Sequence, residues 1–424
     1  MLSPELHVLV LAGGESTRIR TGGPKALLDL CGKPLLEHVL RTASSLPAAS
    51  RVLLLGSRHR GPIEKWLAES AYRDWKVVLQ AEAKGTGHAV AAALPVLPPA
   101  GRLLILYGDT PLLSPDSLRA LVEAEGGGLL TAVLADPAGY GRIVRDEPGE
   151  LRAIVEDADC DEETAAIQEV NAGVYCLDLA ILRRALAELT ADNAQGELYL
   201  TDAALAVLEE TGGVTVCLEN APEEILGVNT LQDLALVAGV RRQLLLEEHM
   251  AAGVIVDDPA TTYVEEDVQI GAGSRIGPFS VLRSGVRIGR GCHVGPFAHL
   301  RAGTVLADGA EIGNFVETKN AELGEGAKAK HLSYLGDVAV GARANIGAGT
   351  ITANYDGKAK HRTVVGERAF IGSGTVLVAP VRVGRNAVTG AGAVVTRNHD
   401  VADGATVVGV PARPLHVPAA EKPE

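Results

Sequence analysis

Two glycines and two cations near the start of the chain could bind phosphate groups. The apolar run 8–12 leads into Gly13 and Gly14, and Arg18 and Lys25 follow. A strand that enters a glycine turn presents backbone N–H groups to an anion, and the two cations could hold a triphosphate and offset the charge of a leaving pyrophosphate. The glycine pair would also suit an ordinary strand-to-helix turn, with Arg18 as a solvated helix residue.

Polar residues also follow other apolar runs. Asp109 comes after the run 103–106, and open α/β sheets bind ligands at the carboxyl ends of their strands. Asp109 is therefore a candidate Mg²⁺ ligand, although a single Asp at this place could merely cap a turn. Residues 80–90, QAEAKGTGHAV, offer Gln80 and a Gly-Thr-Gly turn suited to the edge of a base, whereas His88 is expected to be structural.

A second group of reactive side chains lies in residues 314–362, which are rich in His, Tyr, Asn and Lys. Arg301 and Lys319 are eighteen residues apart, so they would stack on adjacent coils of a chain that winds with that period. We expect Glu317 to orient His331, which could then act as the general base for an amine. His331 alone would be interpreted as a surface histidine, but its polar neighbours favour catalysis. These neighbours are Glu317, Lys319, Tyr334, Asn345, Asn354 and Tyr355.

Alternating strands and helices must position the first group. Up to about residue 250, Val and Leu runs alternate with helical patterns, which predicts a doubly wound, Rossmann-like α/β domain with a mostly parallel sheet. The predicted strands are 7–12, 51–56, 76–80, 102–109, 129–135 and 171–178. The predicted helices are 34–46, 85–97 and a long connecting helix at 230–253. We place one domain at 1–229, a linker helix at 230–250 and a second domain at 251–424.

A six-residue period takes over after residue 250. Aliphatic residues recur at this spacing and glycine follows many of them, which predicts a parallel β-helix with three short strands per coil. A β-sandwich with regular turns would not keep this period for so long. Between Thr352 and Val365 about seven residues are inserted, so NYDGKAK should leave the coil as a loop that could reach a neighbouring subunit. The first unbroken inward series is Ile270, Ile276, Leu282, Ile288, Val294, Leu300, Leu306 and Ile312.

The composition argues against several classes of function. The chain has 424 residues, of which 39 are basic and 53 acidic, and a formal net charge of −14 opposes binding to nucleic acid. The five cysteines are scattered without C-x-x-C spacing, which indicates reduced thiols rather than a zinc site or disulfides. The first apolar run is typical of a strand and not of a signal peptide, and no run is long enough to span a membrane, so a cytoplasmic protein is expected.

Across nearly its whole length, the chain resembles the GlmU family of bifunctional enzymes of bacterial cell-wall synthesis. The motifs that carry the resemblance are LAGGESTR (11–18), YGDTPLL (107–113), VNAGVY (170–175), GVNT (227–230) and NYDGKAK (354–360). The resemblance implies a nucleotidyltransferase domain followed by a left-handed β-helix of hexapeptide repeats. It also implies Mg²⁺ as a cofactor, acetyl-CoA as a co-substrate, and a homotrimer with acetyl-transfer sites between subunits.

The family's activity comprises two reactions that lead to UDP-N-acetylglucosamine, a precursor of peptidoglycan and lipopolysaccharide. Glucosamine-1-phosphate is acetylated by acetyl-CoA, and UMP then passes from UTP to N-acetylglucosamine-1-phosphate. The sugar phosphate attacks the α-phosphorus in line and pyrophosphate leaves, without a covalent intermediate. The resemblance assigns Arg18 and Lys25 to the phosphates and Asp109 and Asn229 to Mg²⁺. The UTP and UDP-sugar contacts would be Leu11, Ala12, Gly14, Lys25, Gln80, Gly85, Thr86, Tyr107, Gly141, Glu156, Asn171 and Asn229.

For the acetyl site, the resemblance implies that His331 deprotonates the amine as it attacks the thioester. The residues for glucosamine-1-phosphate would be Arg301, Lys319, Tyr334, Asn345 and Lys360. The acetyl-CoA residues would be Asn354, Tyr355, Ser373, Ala391 and Arg413. Gly409 stands where many relatives carry a basic residue for the CoA phosphates, so Arg413 is the candidate to replace it. Ser16 and Asn320 also differ from the family pattern, and the β-helix is shorter before residue 300.

Two other functions fit parts of the sequence. One is a sugar-1-phosphate nucleotidyltransferase of another specificity whose β-helix serves only for assembly. Such an enzyme would share the first turn and Asp109 but lack the residues around His331. The other is a regulatory subunit that binds sugar nucleotides without catalysis, which should have lost Lys25 or Asp109. This chain keeps both residues.

Overall fold

The chain forms two compact units, Met1–Ala238 and Gly239–Glu424. The computed structural model describes residues 5–14, 19, 21–147, 149–218 and 220–415. Arg18, one of the predicted phosphate ligands, and Ser16 lie outside these residues. The boundary between the two units falls within the long helix that the sequence predicts at 230–253.

The first unit contains a nine-stranded sheet, a small separate hairpin and helices. The strands are β1 (Leu6–Ala12), β2 (Asp29–Leu30), β3 (Lys33–Pro34), β4 (Ser50–Gly56), β5 (Lys76–Gln80), β6 (Arg102–Tyr107), β7 (Gly128–Val133), β8 (Arg142–Arg145), β9 (Leu151–Val155), β10 (Glu169–Asp178) and β11 (Val214–Cys217). The helices are α1 (Leu35–Ser44), α2 (Arg60–Glu69), α3 (Thr86–Ala93), α4 (Pro115–Glu123), α5 (Glu162–Ala165), α6 (Leu179–Glu188), α7 (Leu200–Thr211) and α8 (Leu231–Ala251). Single 3₁₀ turns occur at Lys25–Leu27, Leu94–Val96, Asp157–Asp159 and Pro222–Ile225.

The strands of the large sheet lie in the order β11-β7-β10-β6-β1-β4-β5, and β8 and β9 extend from β10. β1 pairs in parallel with β4 and β6, whereas β10 is antiparallel to β6 and β7. All six strands predicted from apolar runs are present, and α1, α3 and α8 correspond to the three predicted helices. The predicted α/β domain with a mostly parallel sheet is therefore confirmed.

The central strands are buried on both faces of the sheet. In β1, Val8 and Val10 pack into one hydrophobic cluster, while Leu9 and Leu11 pack into another on the opposite face. Successive side chains of a strand point to opposite faces, so a continuous apolar run is what a doubly covered strand requires. Because both faces are covered, a ligand can reach the sheet only at the ends of its strands.

The second unit is a parallel β-helix. Its strands are β12 (Ile255–Val256), β13 (Tyr263–Val264), β14 (Gln269–Ile270), β15 (Arg275–Ile276), β16 (Val281–Leu282), β17 (Arg287–Ile288), β18 (His293–Val294), β19 (His299–Leu300), β20 (Val305–Leu306), β21 (Glu311–Leu323), β22 (Lys328–Val340), β23 (Asn345–Ile346), β24 (Ile351–Ala353), β25 (Thr363–Val365), β26 (Phe370–Ile371), β27 (Val376–Val378), β28 (Val381–Val383), β29 (Val388–Thr389), β30 (Val394–Val395), β31 (Thr406–Val408) and β32 (Arg413–Pro414). In the first coils, from β12 to β18, each short strand pairs in parallel with the third strand after it, so three strands make one coil. From Ile276 to Ile312 the predicted series is buried, and Ile270 packs against the same core.

Two shortened coils and one insertion interrupt the eighteen-residue winding. Thr318 is buried and Leu323 follows it after five residues instead of six, so Asn314 pairs with His331, only seventeen residues later. The offset then widens where Val338 pairs with Thr363, and it returns to eighteen in the next coil. The extra residues form a loop, which confirms the insertion predicted there.

The close spacing of the coils generates a testable prediction at Gly313. Gly313 has no left-handed backbone conformation, but a Cβ atom there would overlap the carbonyl oxygen of Lys330 on the next coil. Gly313→Ala should therefore lower the free energy of unfolding of the β-helix by about 1–3 kcal/mol through overpacking. Chemical denaturation followed by circular dichroism would measure the free energy of unfolding of the variant.

The matched control is Gly239→Ala, in α8, where a Cβ atom would meet nothing within 4 Å. This change should leave the stability unchanged or raise it by up to about 1 kcal/mol, because alanine favours helix more than glycine does. Equal stabilities of the two variants would contradict the described spacing between the coils.

Candidate functional site

A cavity of about 320 Å³ opens at the carboxyl ends of β1, β4 and β6. The turn after β1 packs directly on the end of β4, since a Cβ atom on Gly56 would overlap the carbonyl oxygen of Gly13. The sequence-predicted residues that line the cavity are Leu11, Ala12, Gly14, Lys25, Gln80, Gly85, Thr86, Tyr107, Asp109 and Asn229. The fold therefore brings these residues of the predicted nucleotide site into one cavity.

Lys25 joins the two predicted metal ligands inside this cavity. Its Nζ lies 2.6 Å from Oδ2 of Asp109 and 3.2 Å from Oδ1 of Asn229. Asp233 fixes the second ligand, because its Oδ2 accepts hydrogen bonds from the backbone N–H groups of Asn229 and Thr230, each at 2.8 Å. Two hard oxygen atoms thus converge on one position that holds a positive charge.

A pair of protein oxygens that leaves the other positions open is typical of a magnesium site. Mg²⁺ usually takes one or two protein oxygens and completes its shell with water and substrate phosphates. Within residues 5–14, 19, 21–147, 149–218 and 220–415, no group of three or more His, Cys, Asp or Glu side chains could hold a metal ion. Asp109 and Asn229 lie far apart in the sequence, and the sheet topology brings them together.

The side of the cavity suited to a base contains Gln80 and the turn before α3. Nε2 of Gln80 lies 3.4 Å from the carbonyl oxygen of Gly85 and 3.3 Å from Nδ1 of His88. Gly85 has a φ of 103°, and a Cβ atom there would lie 2.5 Å from the carbonyl oxygen of Leu198, so only glycine fits. The turn therefore keeps its backbone groups close to Gln80. Oγ1 of Thr86 accepts a hydrogen bond from the N–H of Leu200 at 3.0 Å.

The predicted sugar contacts form a group beside Tyr107. The N–H of Asn171 donates to the carbonyl oxygen of Gly141 at 2.8 Å, and Asn171 Nδ2 donates to the Tyr175 hydroxyl at 2.7 Å. Burial raises the pKa of Glu156, while its hydrogen bond from Thr201, 3.0 Å long, opposes that shift. Burial and then the charge of Glu156 also raise the pKa of Tyr107. A Cβ atom on Gly141 would lie 3.6 Å from Oε2 of Glu156, so these predicted sugar contacts are neighbours.

Three ionisable residues of the cavity were not predicted from the sequence. Arg58 and His59 follow β4, and Glu197 precedes α7. The rule that identified Asp109, a polar residue just after an apolar strand, applies equally to Arg58 and His59. Glu197 has no such signal, because the segment that carries it reaches the cavity only through packing against Gly85.

In the β-helix, three cations meet at the surface. Arg301 N donates to Thr318 O at 2.9 Å, and this register places Arg301 beside Lys319 on adjacent coils, as predicted. Lys360, from the inserted loop, lines a small cavity with Asn320, the residue that follows Lys319 in the chain. The Lys360 ammonium and then the Arg301 guanidinium lower the pKa of Lys319. Like charges held this close form a site for an anion such as phosphate.

The structure corrects the predicted partner of His331. Nδ1 of His331 lies 3.1 Å from Oδ1 of Asn314, whereas Glu317 binds Arg301 at 2.9 Å. The expected contact between Glu317 and His331 is wrong, because the register pairs Glu317 with Tyr334. Asn314 lies three residues before Glu317, and between them Phe315 has a φ of 56°, a left-handed conformation that bends the chain. The seventeen-residue coil was the signal that could have identified Asn314.

The predicted acetyl-CoA residues occupy successive coils. Asn354 Nδ2 donates to Oδ2 of Asp337, which also pairs through Oδ1 with Asn320 at 3.0 Å. Ser373 O accepts a hydrogen bond from the N–H that follows Ala391, so these two residues are neighbours on adjacent coils. Tyr355 is 62% exposed, and Arg413 is exposed on β32. Asn345, which is predicted to bind the sugar phosphate, lies on β23.

A cavity at the carboxyl ends of the sheet strands and a polar cluster on a β-helix are the arrangement of a transferase with two separate units. Residues 8–200 match the MobA-like NTP transferase domain. The bacterial transferase hexapeptide family matches 285–320 and 362–397, and the hexapeptide repeat of succinyl-transferase matches 262–296. These matches confirm the nucleotidyltransferase domain and the left-handed hexapeptide β-helix. In the described part of the chain, no helix has the length and apolar character that crossing a membrane requires.

Three curated relatives match along nearly their whole length, and each is named bifunctional protein GlmU. The relative from Alkalilimnicola ehrlichii is 43% identical over 93% of this chain and 92% of its own. Those from Brevibacillus brevis and Heliobacterium modesticaldum are 41% and 43% identical, over 95% and 94% of both chains respectively. The chain belongs to the GlmU family. This membership confirms the prediction of a bifunctional uridylyltransferase and acetyltransferase of UDP-N-acetylglucosamine synthesis.

Proposed function

We propose that the first unit transfers UMP from UTP to N-acetylglucosamine-1-phosphate, and that the β-helix acetylates glucosamine-1-phosphate with acetyl-CoA. The observation that supports this proposal is a separate group of charged side chains on each unit. One contains Lys25 with its two oxygen partners, and the other contains Arg301, Lys319 and Lys360. Each group lies beside side chains suited to the reaction of its own unit.

For UMP transfer, the residues of the cavity bind and orient the two substrates. Gln80 and the Gly85 turn receive the base, while Gly141, Glu156 and Asn171 receive the sugar. Asp109 and Asn229 would hold Mg²⁺, which supplies charge neutralisation at the phosphates. Lys25 and Arg18 offset the charge that develops on pyrophosphate. A phosphate oxygen of the sugar then attacks the α-phosphorus, and the bond to pyrophosphate breaks.

For acetyl transfer, His331 accepts the proton of the attacking amine. The Asn314 oxygen faces Nδ1, so Nδ1 carries the ring proton and Nε2 is free to act as the base. The amine nitrogen forms a bond to the acetyl carbon, and the bond from that carbon to the CoA sulfur breaks. Arg301, Lys319 and Lys360 hold the sugar phosphate, with Tyr334 and Asn345 beside it. Asn354, Tyr355, Ser373, Ala391 and Arg413 contact acetyl-CoA.

The two-site proposal predicts activities that separate by mutation. His331→Ala should lower CoA thiol release by about 10²- to 10⁴-fold, the usual loss for a general base, and leave pyrophosphate release intact. Asp109→Ala should have the reverse effect. Free thiol is measured with glucosamine-1-phosphate and acetyl-CoA, and pyrophosphate is measured in a separate assay with N-acetylglucosamine-1-phosphate, UTP and Mg²⁺.

The matched controls are His293→Ala, an exposed histidine elsewhere on the β-helix, and Asp116→Ala, which pairs with Arg119 on α4. Neither should change either activity. If a folded single variant at His331 or Asp109 loses both activities, the two-site proposal is wrong. If the unchanged chain releases pyrophosphate but no thiol, the β-helix serves only for assembly.

The position of Lys25 predicts how the metal binds. The ammonium group occupies the place between Asp109 and Asn229, so it must move before a divalent ion can bind both oxygens. Metal binding to the free protein should therefore be weak and should strengthen with UTP, whose phosphates attract Lys25. Lys25→Met should tighten Mn²⁺ binding to the UTP-free protein by about tenfold, or 1.4 kcal/mol.

Electron paramagnetic resonance of free Mn²⁺ would measure this binding directly. Lys33→Met is the matched control, because Lys33 pairs with Glu37 on α1 at 3.4 Å and does not line the cavity. It should leave the affinity unchanged. Tight binding to the unchanged protein, or weaker binding to Lys25→Met, would count against Asp109 and Asn229 as ligands.

We also propose that the β-helices assemble as a homotrimer whose acetyl-transfer sites combine residues of two subunits. Tyr355 supports this proposal, because it is 62% exposed on the inserted loop. Asn354 and Lys360 contact residues of their own chain, so the loop does not carry its whole set of side chains away from the coil. A single exposed face cannot exclude water from an amine and a thioester, whereas a cleft between two prisms can.

Subunit mixing tests this assembly. Chains with His331→Ala would be mixed with chains that carry Asn354→Ala and Tyr355→Ala, under conditions that exchange subunits. If the partners come from different chains, mixed trimers contain some intact sites and recover thiol release. Absence of recovery, with exchange proven by mass spectrometry of tagged subunits, would place each site within one chain.

A further inference from the structure

Asp356, in the inserted loop, accepts four hydrogen bonds. Its Oδ1 accepts from the backbone N–H groups of Lys358, at 2.9 Å, and Ala359, at 2.8 Å. Its Oδ2 lies 2.7 Å from Nε2 of His361 and 2.8 Å from Nη2 of Arg397. The hydrogen bond from Ala359, followed by those from Arg397 and His361, keeps the pKa of Asp356 well below its usual range.

The two oxygens have different roles. Oδ1 closes a turn within the loop, because both of its donors lie two or three residues further along the chain. Oδ2 connects the loop to the body of the β-helix through Arg397, a residue 41 positions later. Nε of Arg397 also donates to the carbonyl oxygen of Ala379 at 3.1 Å, so the guanidinium is fixed on the coil. Asp356 thus clamps the loop to the prism.

The clamped loop presents Lys360. This residue forms an antiparallel bridge with Tyr355, and its neighbour His361 donates through its backbone N–H to Asn354 O at 2.7 Å. The residues on both sides of Lys360, Ala359 and His361, are themselves bound to Asp356. The backbone of Lys360 is therefore held from both directions.

Lys360 needs such a restraint because of its surroundings. Lys360 lines a small cavity with Asn320 and Asp337, next to Lys319, and the two ammonium groups repel each other when no anion is bound. A free loop would move its ammonium into solvent, and the ordering of that loop would then weaken substrate binding. If the loop is already ordered before the substrate binds, binding does not have to supply the free energy of ordering it.

We propose that Asp356 is a positioning residue for acetyl transfer, which through Arg397 and His361 keeps Lys360 beside Arg301 and Lys319 for the phosphate of the sugar substrate. This inference rests on the proposed role of Lys360 as a phosphate ligand. Asp356 does not touch the reacting atoms, so its effect should fall on the KM for glucosamine-1-phosphate and not on kcat.

Asp356→Asn separates the two roles of the carboxylate. The asparagine oxygen can still accept from Lys358 and Ala359, but its amide group would direct N–H donors at the Arg397 guanidinium, itself a donor. The KM for glucosamine-1-phosphate should rise about tenfold, as for a loss of 1.4 kcal/mol, with kcat within about twofold. Arg397→Gln should produce the same change. UMP transfer and the thermal unfolding midpoint should not change.

Asp403→Asn is the matched control, because Asp403 also accepts a backbone N–H, that of Arg385 at 2.8 Å, on an exposed part of the β-helix. It should leave all constants unchanged. A second comparison uses Lys360→Met, alone and combined with Asp356→Asn. If Asp356 acts through Lys360, the double variant should have the same KM as Lys360→Met alone.

The outcomes distinguish this inference from the function on which it rests. If Lys360→Met leaves the KM unchanged, Lys360 is not a phosphate ligand, and both the proposed role and the inference fail. If Lys360→Met raises the KM but Asp356→Asn does not, or if the two effects add fully, only the inference is overturned. A lower unfolding midpoint with an equal loss in kcat would identify Asp356 as merely structural, which also overturns it.

Discussion

Both units depend on the complete burial of their aliphatic strands. In the sheet, Val8 to Leu11 alternate between two cores, and in the β-helix one inward residue from each strand fills the coil. Moving a polar group into such an apolar interior costs free energy unless the group is hydrogen-bonded. Polar chemistry is therefore confined to the strand ends of the sheet and to the turns and outer surfaces of the prism.

The charged groups of the two polar sites are arranged differently before a ligand binds. At the carboxyl ends of the sheet strands, the Lys25 ammonium lies between the oxygens of Asp109 and Asn229, so its charge is paired before any ligand binds. On the β-helix, Lys319 and Lys360 approach each other, and repulsion lowers the pKa of Lys319. In the proposed reactions, the first site would exchange the Lys25 ammonium for a metal ion, whereas the second already presents its cations to an anion.

Departures from strict periodicity provide the geometry of the second site. A five-residue step after Thr318 shortens the coil to seventeen residues and brings Asn314 against His331. The insertion near residue 355 creates a loop that leaves the coil and returns with Lys360. Asn314, His331 and Lys360, which belong to the proposed acetyl-transfer site, thus lie where the regular repeat is interrupted.

Local patterns in the sequence determined the strands, the six-residue winding and the inserted loop, because period and turn chemistry depend on near neighbours. Several of the predicted cavity residues, such as Asn229, came from the resemblance to the family. Asp109 was predictable as a strand-end residue, and the eighteen-residue spacing of Arg301 and Lys319 predicted that they lie side by side on adjacent coils. Only the tertiary structure decided that Lys25 binds Asp109 and Asn229, that Asn314 and not Glu317 faces His331, and that Arg397 holds Asp356. These contacts join residues distant in sequence, and their register depends on small shifts that accumulate along the chain.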